Sequence, residues 1–189
     1  MALTRLGLNQ SINLATNVTG TLATSNGGTG ATSFAPGKIG QVVQSGTNFN
    51  VQSTSTSYID FESSSGTAWE TSITPTSSSS KILVIANLSI RASRNGAADA
   101  RCSVKMQRKI GSGSYSDAAF AYETAGGYDF GTSGIWMKEN LTFTNLISPN
   151  TTDAVTFKFS AKSNSSGADF GLVENSTDTT QCTLLEVFA

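Results

Sequence analysis

The sequence predicts an all-β protein, with an antiparallel, jelly-roll-like β-sandwich head preceded by an extended N-terminal arm. The 189 residues include 28 Ser and 25 Thr. β-branched and aromatic residues are common, whereas runs of helix-forming residues are scarce, and this composition is typical of a β protein. Short segments that alternate apolar and polar residues recur at intervals of roughly 10–15 residues, with Gly-rich or Ser-rich turns between them. A hydrophobic content of 38% suits a folded core rather than a disordered chain.

Nine segments carry the alternation that is typical of strands. They are residues 38–44, 57–62, 68–74, 81–93, 100–108, 118–124, 135–147, 154–162 and 181–188. In the segment 154–162, Phe157 and Phe159 alternate with Thr156, Lys158 and Ser160, so both rings are predicted to face the core.

The segment 81–93 is the most apolar and predicts the centre of a sheet. One face is formed by Ile82, Val84, Ala86, Leu88 and Ile90. Leu83 and Ile85 make the start of the other face apolar as well, so this strand is predicted to be buried on both sides or covered by an oligomer interface.

The domain boundary is predicted near Pro36, giving an arm of residues 1–36 and a head of residues 37–189. The apolar residues of the arm follow neither a helix period nor a strand period, and the arm is too short to bury them itself. Such an arm needs a partner, and the residues taken as its attachment set are Leu6, Leu8, Ile12, Leu14, Val18 and Leu22. The segment 26–30, NGGTG, then provides a flexible break before the head.

The low net charge and the residue composition argue against nucleic-acid binding, enzymatic catalysis and metal binding. The net charge is −1 and there is no His, so we expect no nucleic-acid binding, no His-based catalysis and no His-containing metal site. No apolar run is long enough to span a membrane. Asp60 and Glu62 share a strand face, and the simplest interpretation is two solvated carboxylates. The sequence therefore predicts a protein that is not an enzyme and that uses no cofactor or metal.

The two cysteines and the loop aromatics leave alternatives open. Cys102 and Cys182 are interpreted as buried thiols, with a disulfide still open. Tyr115, Tyr128 and Phe130 lie in or beside Gly-rich loops, where aromatic rings suit a glycan or protein receptor. The alternative is that these rings fold back onto the sandwich.

Three stretches together resemble bacteriophage tail-fibre and virion structural proteins. Residues 12–33, INLATNVTGTLATSNGGTGATS, are similar to an NGGTG-type segment of many tail-fibre proteins. Residues 53–85, which include SITPTSSSSKILVI, and the ending DTTQCTLLEVFA are similar to a domain of marine phage virion proteins. Residues 94–150 match no pattern of that family.

The resemblance implies a virion-located homotrimer in which the arm binds other virion proteins. The predicted function is a short tail fibre whose β-sandwich head faces a host surface glycan or protein. The alternative is a capsid decoration or collar protein that cements the same virion.

Overall fold

The computed structural model describes residues 39–47, 52–63, 66–94, 101–124, 136–164, 168–172 and 180–188. All regular elements in these stretches are strands: β1 Ile39–Thr47, β2 Gln52–Ser53, β3 Ile59–Asp60, β4 Glu70–Ile73, β5 Lys81–Arg94, β6 Cys102–Ile110, β7 Ser116–Thr124, β8 Trp136–Ile147, β9 Val155–Ser163, β10 Ala168–Leu172 and β11 Thr180–Val187. The described part of the chain contains no helix that is long and apolar enough to cross a membrane.

The strands form two antiparallel sheets, as the sequence predicts for the head. Sheet A has the order β1-β11-β5-β10-β2, and β8 pairs with the other edge of β5. Sheet B has the order β3-β9-β6-β7, and β4 also pairs with β9. One cluster of buried side chains draws on both sheets. The predicted all-β sandwich is therefore confirmed, whereas the predicted arm of residues 1–36 lies outside the described residues.

Strand β5 is the central strand of sheet A, as its two apolar faces predict. One of its edges pairs with β11 and then with β10, and the other edge pairs with β8 from Ile82 to Ser93. The predicted inner face is fully buried, with exposures of 0–1% from Ile82 to Ile90 on alternate residues. Leu83 and Ile85 point to the outer side and are half-buried.

Strand β9 has the same central position in sheet B. Phe157 and Phe159 are each 1% exposed, so the predicted inward direction of both rings is confirmed. The Phe159 ring lies between the two layers, with its centroid 5.6 Å from that of Trp69 and 5.5 Å from that of Phe143. Rings at these separations contribute both buried area and favourable aromatic contacts to the core.

A buried carboxylate binds the connection through which the chain passes from one sheet to the other. Glu186 of β11 is completely buried, on the inner side of sheet A. Its Oε2 accepts a hydrogen bond from Gln41 Nε2 at 2.9 Å, and its Oε1 accepts from the Thr76 amide at 2.7 Å and the Thr76 hydroxyl at 2.8 Å. Thr76 lies in the connection from β4 to β5, where the chain passes from sheet B to sheet A.

The donors around Glu186 compensate for its burial. Burial alone would raise the pKa of this carboxyl, but the hydrogen bonds from Gln41 and Thr76, with the Ser80 hydroxyl nearby, outweigh that cost and lower the pKa of Glu186 to about 2. The side chain is therefore ionised at neutral pH, and its hydrogen bonds hold the ends of β1, β11 and the β4–β5 connection together.

One strand, β10, differs from the sequence interpretation. It falls outside the nine predicted segments, because its pairing with β2 and with the distal end of β5 is not visible in local alternation. Cys102 and Cys182 are both buried thiols, so the interpretation drawn from the sequence is confirmed. Burial raises the pKa of Cys182 to about 11, so this thiol stays protonated at neutral pH.

Candidate functional site

The outer side of sheet A carries an apolar surface, which we call the aliphatic face. Its members point away from the buried side chains of their own strands. They are Ile39, Val42, Leu83, Ile85, Leu146, Leu185 and Val187. Ile39, Val42 and Leu146 are 48%, 58% and 51% exposed, which is high for large aliphatic side chains.

Four members of the aliphatic face form a straight row across the sheet. Val42 of β1 is paired with Leu185 of β11, Leu185 with Leu83 of β5, and Leu83 with Leu146 of β8. Neighbouring strands are about 4.8 Å apart, so this row spans roughly 14 Å. Directly paired side chains in a sheet contact one another, so the row is a continuous apolar ridge rather than scattered exposed residues.

The polar residues beside this row are uncharged and partly paired with each other. Gln44 Nε2 donates to Thr183 Oγ1 at 3.0 Å, and Thr142 Oγ1 donates to Asn87 Oδ1 at 2.7 Å. Lys81, at the end of β5, is the charged residue that borders the face among the residues whose side chains are described. Among the residues whose side chains are described, the aliphatic face is therefore apolar at its centre and mostly uncharged at its margins, with Lys81 as the exception.

The outer side of sheet B carries a different surface, which we call the lysine face. It consists of four lysines, two tyrosines and three carboxylates. They are Lys105, Lys109, Lys158, Lys162, Tyr58, Tyr115, Asp60, Glu70 and Asp117. Three of the lysines form ion pairs: Lys105 with Asp117 at 2.9 Å, Lys109 with Glu70 at 3.3 Å and Lys158 with Asp60 at 2.6 Å.

The two tyrosine rings cover the lysines. Tyr58 lies 4.5 Å from Lys105 Nζ and 5.3 Å from Lys162 Nζ, measured to the ring centroid. Tyr115 lies 4.7 Å from Lys109 Nζ and 4.3 Å from Lys158 Nζ. Each ring therefore spans one lysine of β6 and one of β9, in the geometry of cation–π contacts.

This side-chain layer buries polar groups that would otherwise face solvent. Ser160, on the outer side of β9, is only 1% exposed. Its hydroxyl donates to Asp60 Oδ1 at 2.6 Å, and it is also 3.2 Å from Gln107 Oε1. Asp60, expected to be a solvated carboxylate, is instead held by Lys158 and Ser160. Alternation predicts its face but not its partners, because they come from a strand about 100 residues later.

Tyr115, a candidate receptor residue, folds back over the lysine face. Its hydroxyl is buried and has no hydrogen-bond partner by distance and angle among the described residues. Burial, together with the nearby carboxylates of Glu70 and Asp60, raises the pKa of Tyr115. A shallow surface pocket of about 210 Å³ lies beside it at the β6–β7 turn. The residues that line this pocket are Arg108, Lys109, Ile110, Gly113, Ser114 and Ser116.

The other predicted site residues cannot be placed. Tyr128 and Phe130 lie outside the described residues, as do Leu6, Leu8, Ile12, Leu14, Val18 and Leu22 of the arm. Among the described residues there is no group of three or more Cys, Asp or Glu side chains that could hold a metal ion.

Sequence reasoning identified only part of the aliphatic face. Leu83 and Ile85 stand out because they interrupt the alternation of an apolar strand. Val42, Leu146 and Leu185 do not, because each is one apolar residue among several in its own segment. Only the pairing of β1, β11, β5 and β8 brings them into one row.

Comparisons with known proteins return no relative by sequence: no protein-family model matches the chain, and no curated protein matches it. The fold is similar to the crystal structure of the infectious bursal disease virus VP2 subviral particle, with 7% identity and a TM-score of 0.38 over 79% of this chain and 37% of that one. It is also similar to the structure of the Gx strain of that virus, with 9% identity and a TM-score of 0.32 over 78% of this chain and 42% of that one. This chain thus spans about two fifths of the chains it matches, and a likeness at this level assigns no function.

Proposed function

We propose that this chain is a virion structural protein without enzymatic activity, a short tail fibre whose head faces the host surface. The observation that carries the proposal is the aliphatic face. A sandwich whose other outer side is covered by its own side chains leaves a neutral, apolar ridge on this side, as expected of a subunit that works in a multi-copy assembly.

The resemblance of the sequence to phage virion proteins supports the same function. The stretch SITPTSSSSKILVI and the ending TLLEVF are about 100 residues apart in the chain. In the structure they lie side by side, since β5 pairs with β11 from Lys81 to Asn87 and Thr76 binds Glu186. Stretches that resemble one family in sequence thus belong to one structural unit.

In this proposal the protein is a homotrimer that attaches to other virion proteins through residues 1–36. The heads recognise a host glycan or protein with weak loop sites, and three linked copies gain strength from their high effective concentration. Tyr115 is one candidate contact, and the pocket beside it offers a guanidinium and hydroxyl groups to such a ligand. Tyr128 and Phe130 are further candidate contacts.

Electron cryomicroscopy of the virion that carries this chain tests the proposal. Density for the sandwich at the tail is the expected result, in copies related by a threefold axis. Density between capsomers of the shell would contradict the fibre and establish the alternative, a decoration or collar protein that cements the capsid.

Adsorption measurements test the division of labour between arm and head. Leu14→Asp in the arm should reduce incorporation into virions, because it places a charge in the apolar attachment set. Tyr128→Ala and Phe130→Ala should leave incorporation unchanged and weaken adsorption to host cells. Normal adsorption by both loop variants would contradict the receptor role of these aromatics.

A further inference from the structure

We infer that the aliphatic face is the surface through which copies of this chain contact one another. The inference builds on the proposed function in one respect, because it gives the multi-copy assembly a specific contact. It depends on the chemistry of sheet A and not on where the assembly sits in a virion.

The row at the centre of this face has the form of a contact surface. Its two ends, Val42 and Leu146, are more than half exposed, while Leu83 and Leu185 between them are half-buried. Exposed aliphatic residues that stand alone are ordinary on a protein surface, but a row of four in register concentrates them in one patch. Removing this patch from water is the main gain available to an association.

The charge pattern selects a second copy as the occupant. Two identical surfaces meet without repulsion only if the surface carries little net charge. The described side chains at the margin of the aliphatic face, apart from Lys81, are uncharged, and several of their amide and hydroxyl groups bond to each other. A strongly acidic or basic partner would find no opposite charge here apart from Lys81 at the border. The lysine face is less suited to this role, because its lysines are already covered by tyrosine rings and paired with carboxylates of the same chain.

Shape leads to the same occupant. A ridge of Val and Leu side chains about 14 Å long, on a sheet without a protruding charged side chain among its described neighbours, can interdigitate with the same ridge of another copy. Around a threefold axis each copy presents this face to both of its neighbours, so one substitution alters every contact of the trimer at once.

Sedimentation equilibrium of the full chain over a range of concentrations is the direct test. We expect the wild type to be a trimer at micromolar concentration. Leu146→Lys should raise the concentration for half-association by at least about tenfold, because the contact would have to bury an ammonium group. Val42→Lys, at the other end of the row, should do the same.

Ile110→Lys is the matched control. Ile110 is also an exposed aliphatic residue, 36% exposed, but it lies at the end of β6 in sheet B. This variant should associate like the wild type. Circular dichroism and thermal melting at a concentration where all proteins are monomeric should show that the three variants are folded.

The outcomes separate this inference from the proposed function. A monomeric wild type, or an oligomer that Ile110→Lys dissociates and Leu146→Lys does not, overturns the inference about the face. A wild-type dimer that both row variants dissociate supports the face and contradicts the homotrimer. Raising the NaCl concentration should leave an apolar contact intact, whereas dissociation by salt would point to ion pairs and overturn the inference.

Discussion

The outer sides of the two sheets differ in how far the chain itself covers them. Sheet B is covered by its own side chains, since Tyr58 and Tyr115 lie over the lysines of β6 and β9 and the ion pairs beneath them leave Lys158 only 14% exposed. The described outer side chains of sheet A form no such layer, and Val42 and Leu146 face outward more than half exposed. The comparison shows that one side of this sandwich is complete within a single chain and the other is suited to a partner.

A substitution in the core that both sheets share should cause the largest loss of stability, against which substitutions on the two outer faces can be compared. Phe159→Ala removes a ring that is 1% exposed and that contacts Trp69 and Phe143. We expect a loss of about 3–5 kcal/mol in the free energy of unfolding, measured by urea denaturation of the monomer. A loss below that of Lys158→Ala would mean that the lysine face, and not the core, dominates sheet B.

Acid should act mainly through Glu186, on the inner side of sheet A. Because its folded pKa is about 2 and its ordinary value is 4.5, its contribution to stability is complete above pH 4.5 and is lost as the pH falls towards 2. Glu186→Gln should lower the free energy of unfolding by about 2–3 kcal/mol at pH 7, since it weakens charge-assisted hydrogen bonds. The difference between the two proteins should disappear near pH 2 in melts recorded across the pH range. An equal deficit at pH 7 and pH 2 would contradict the ionised state.

The lysine face should make a moderate contribution to stability. Lys158→Met removes the ion pair with Asp60 but keeps much of the apolar stem beside Tyr115, and we expect a loss of about 1–2 kcal/mol. A double-mutant cycle with Asp60→Asn measures the coupling between the two groups. Additive effects would show that this pair is no stronger than an ordinary surface salt bridge. The lysine face would then stabilise sheet B less than its geometry indicates.

The smallest effect should come from the aliphatic face. Leu146→Ser should change the free energy of unfolding of the monomer by less than about 0.5 kcal/mol, because the side chain is half exposed and few buried contacts depend on it. Chemical denaturation at a concentration below association measures this. A loss of 2 kcal/mol or more would mean that Leu146 already packs within its own chain, and the contrast between the two faces would shrink.

The contrast also explains what the sequence could predict. Alternation alone gave the inner faces of β5 and β9, because burial on one side leaves a period of two in the chain itself. It also indicated that Leu83 and Ile85 are exceptional. The row, the lysine layer and the partners of Glu186 depend on which strands become neighbours, and those pairings join residues up to 148 positions apart. Alternation within one segment cannot indicate which distant segment becomes its neighbour. A short strand such as β10 is also missed because the Gly residues in its segment are typical of turns.

The place of β11 in sheet A has a consequence for biosynthesis. This strand follows every other described strand in the chain, yet it lies between β1 and β5. On the ribosome, strands of sheet B can pair while sheet A still lacks an interior strand, because domains begin to fold as they emerge. Leu185 completes the row that Val42, Leu83 and Leu146 leave interrupted. If copies of the chain join through this row, a nascent chain does not yet present the complete row to its neighbours on the same polysome, and copies can associate only after translation has passed β11.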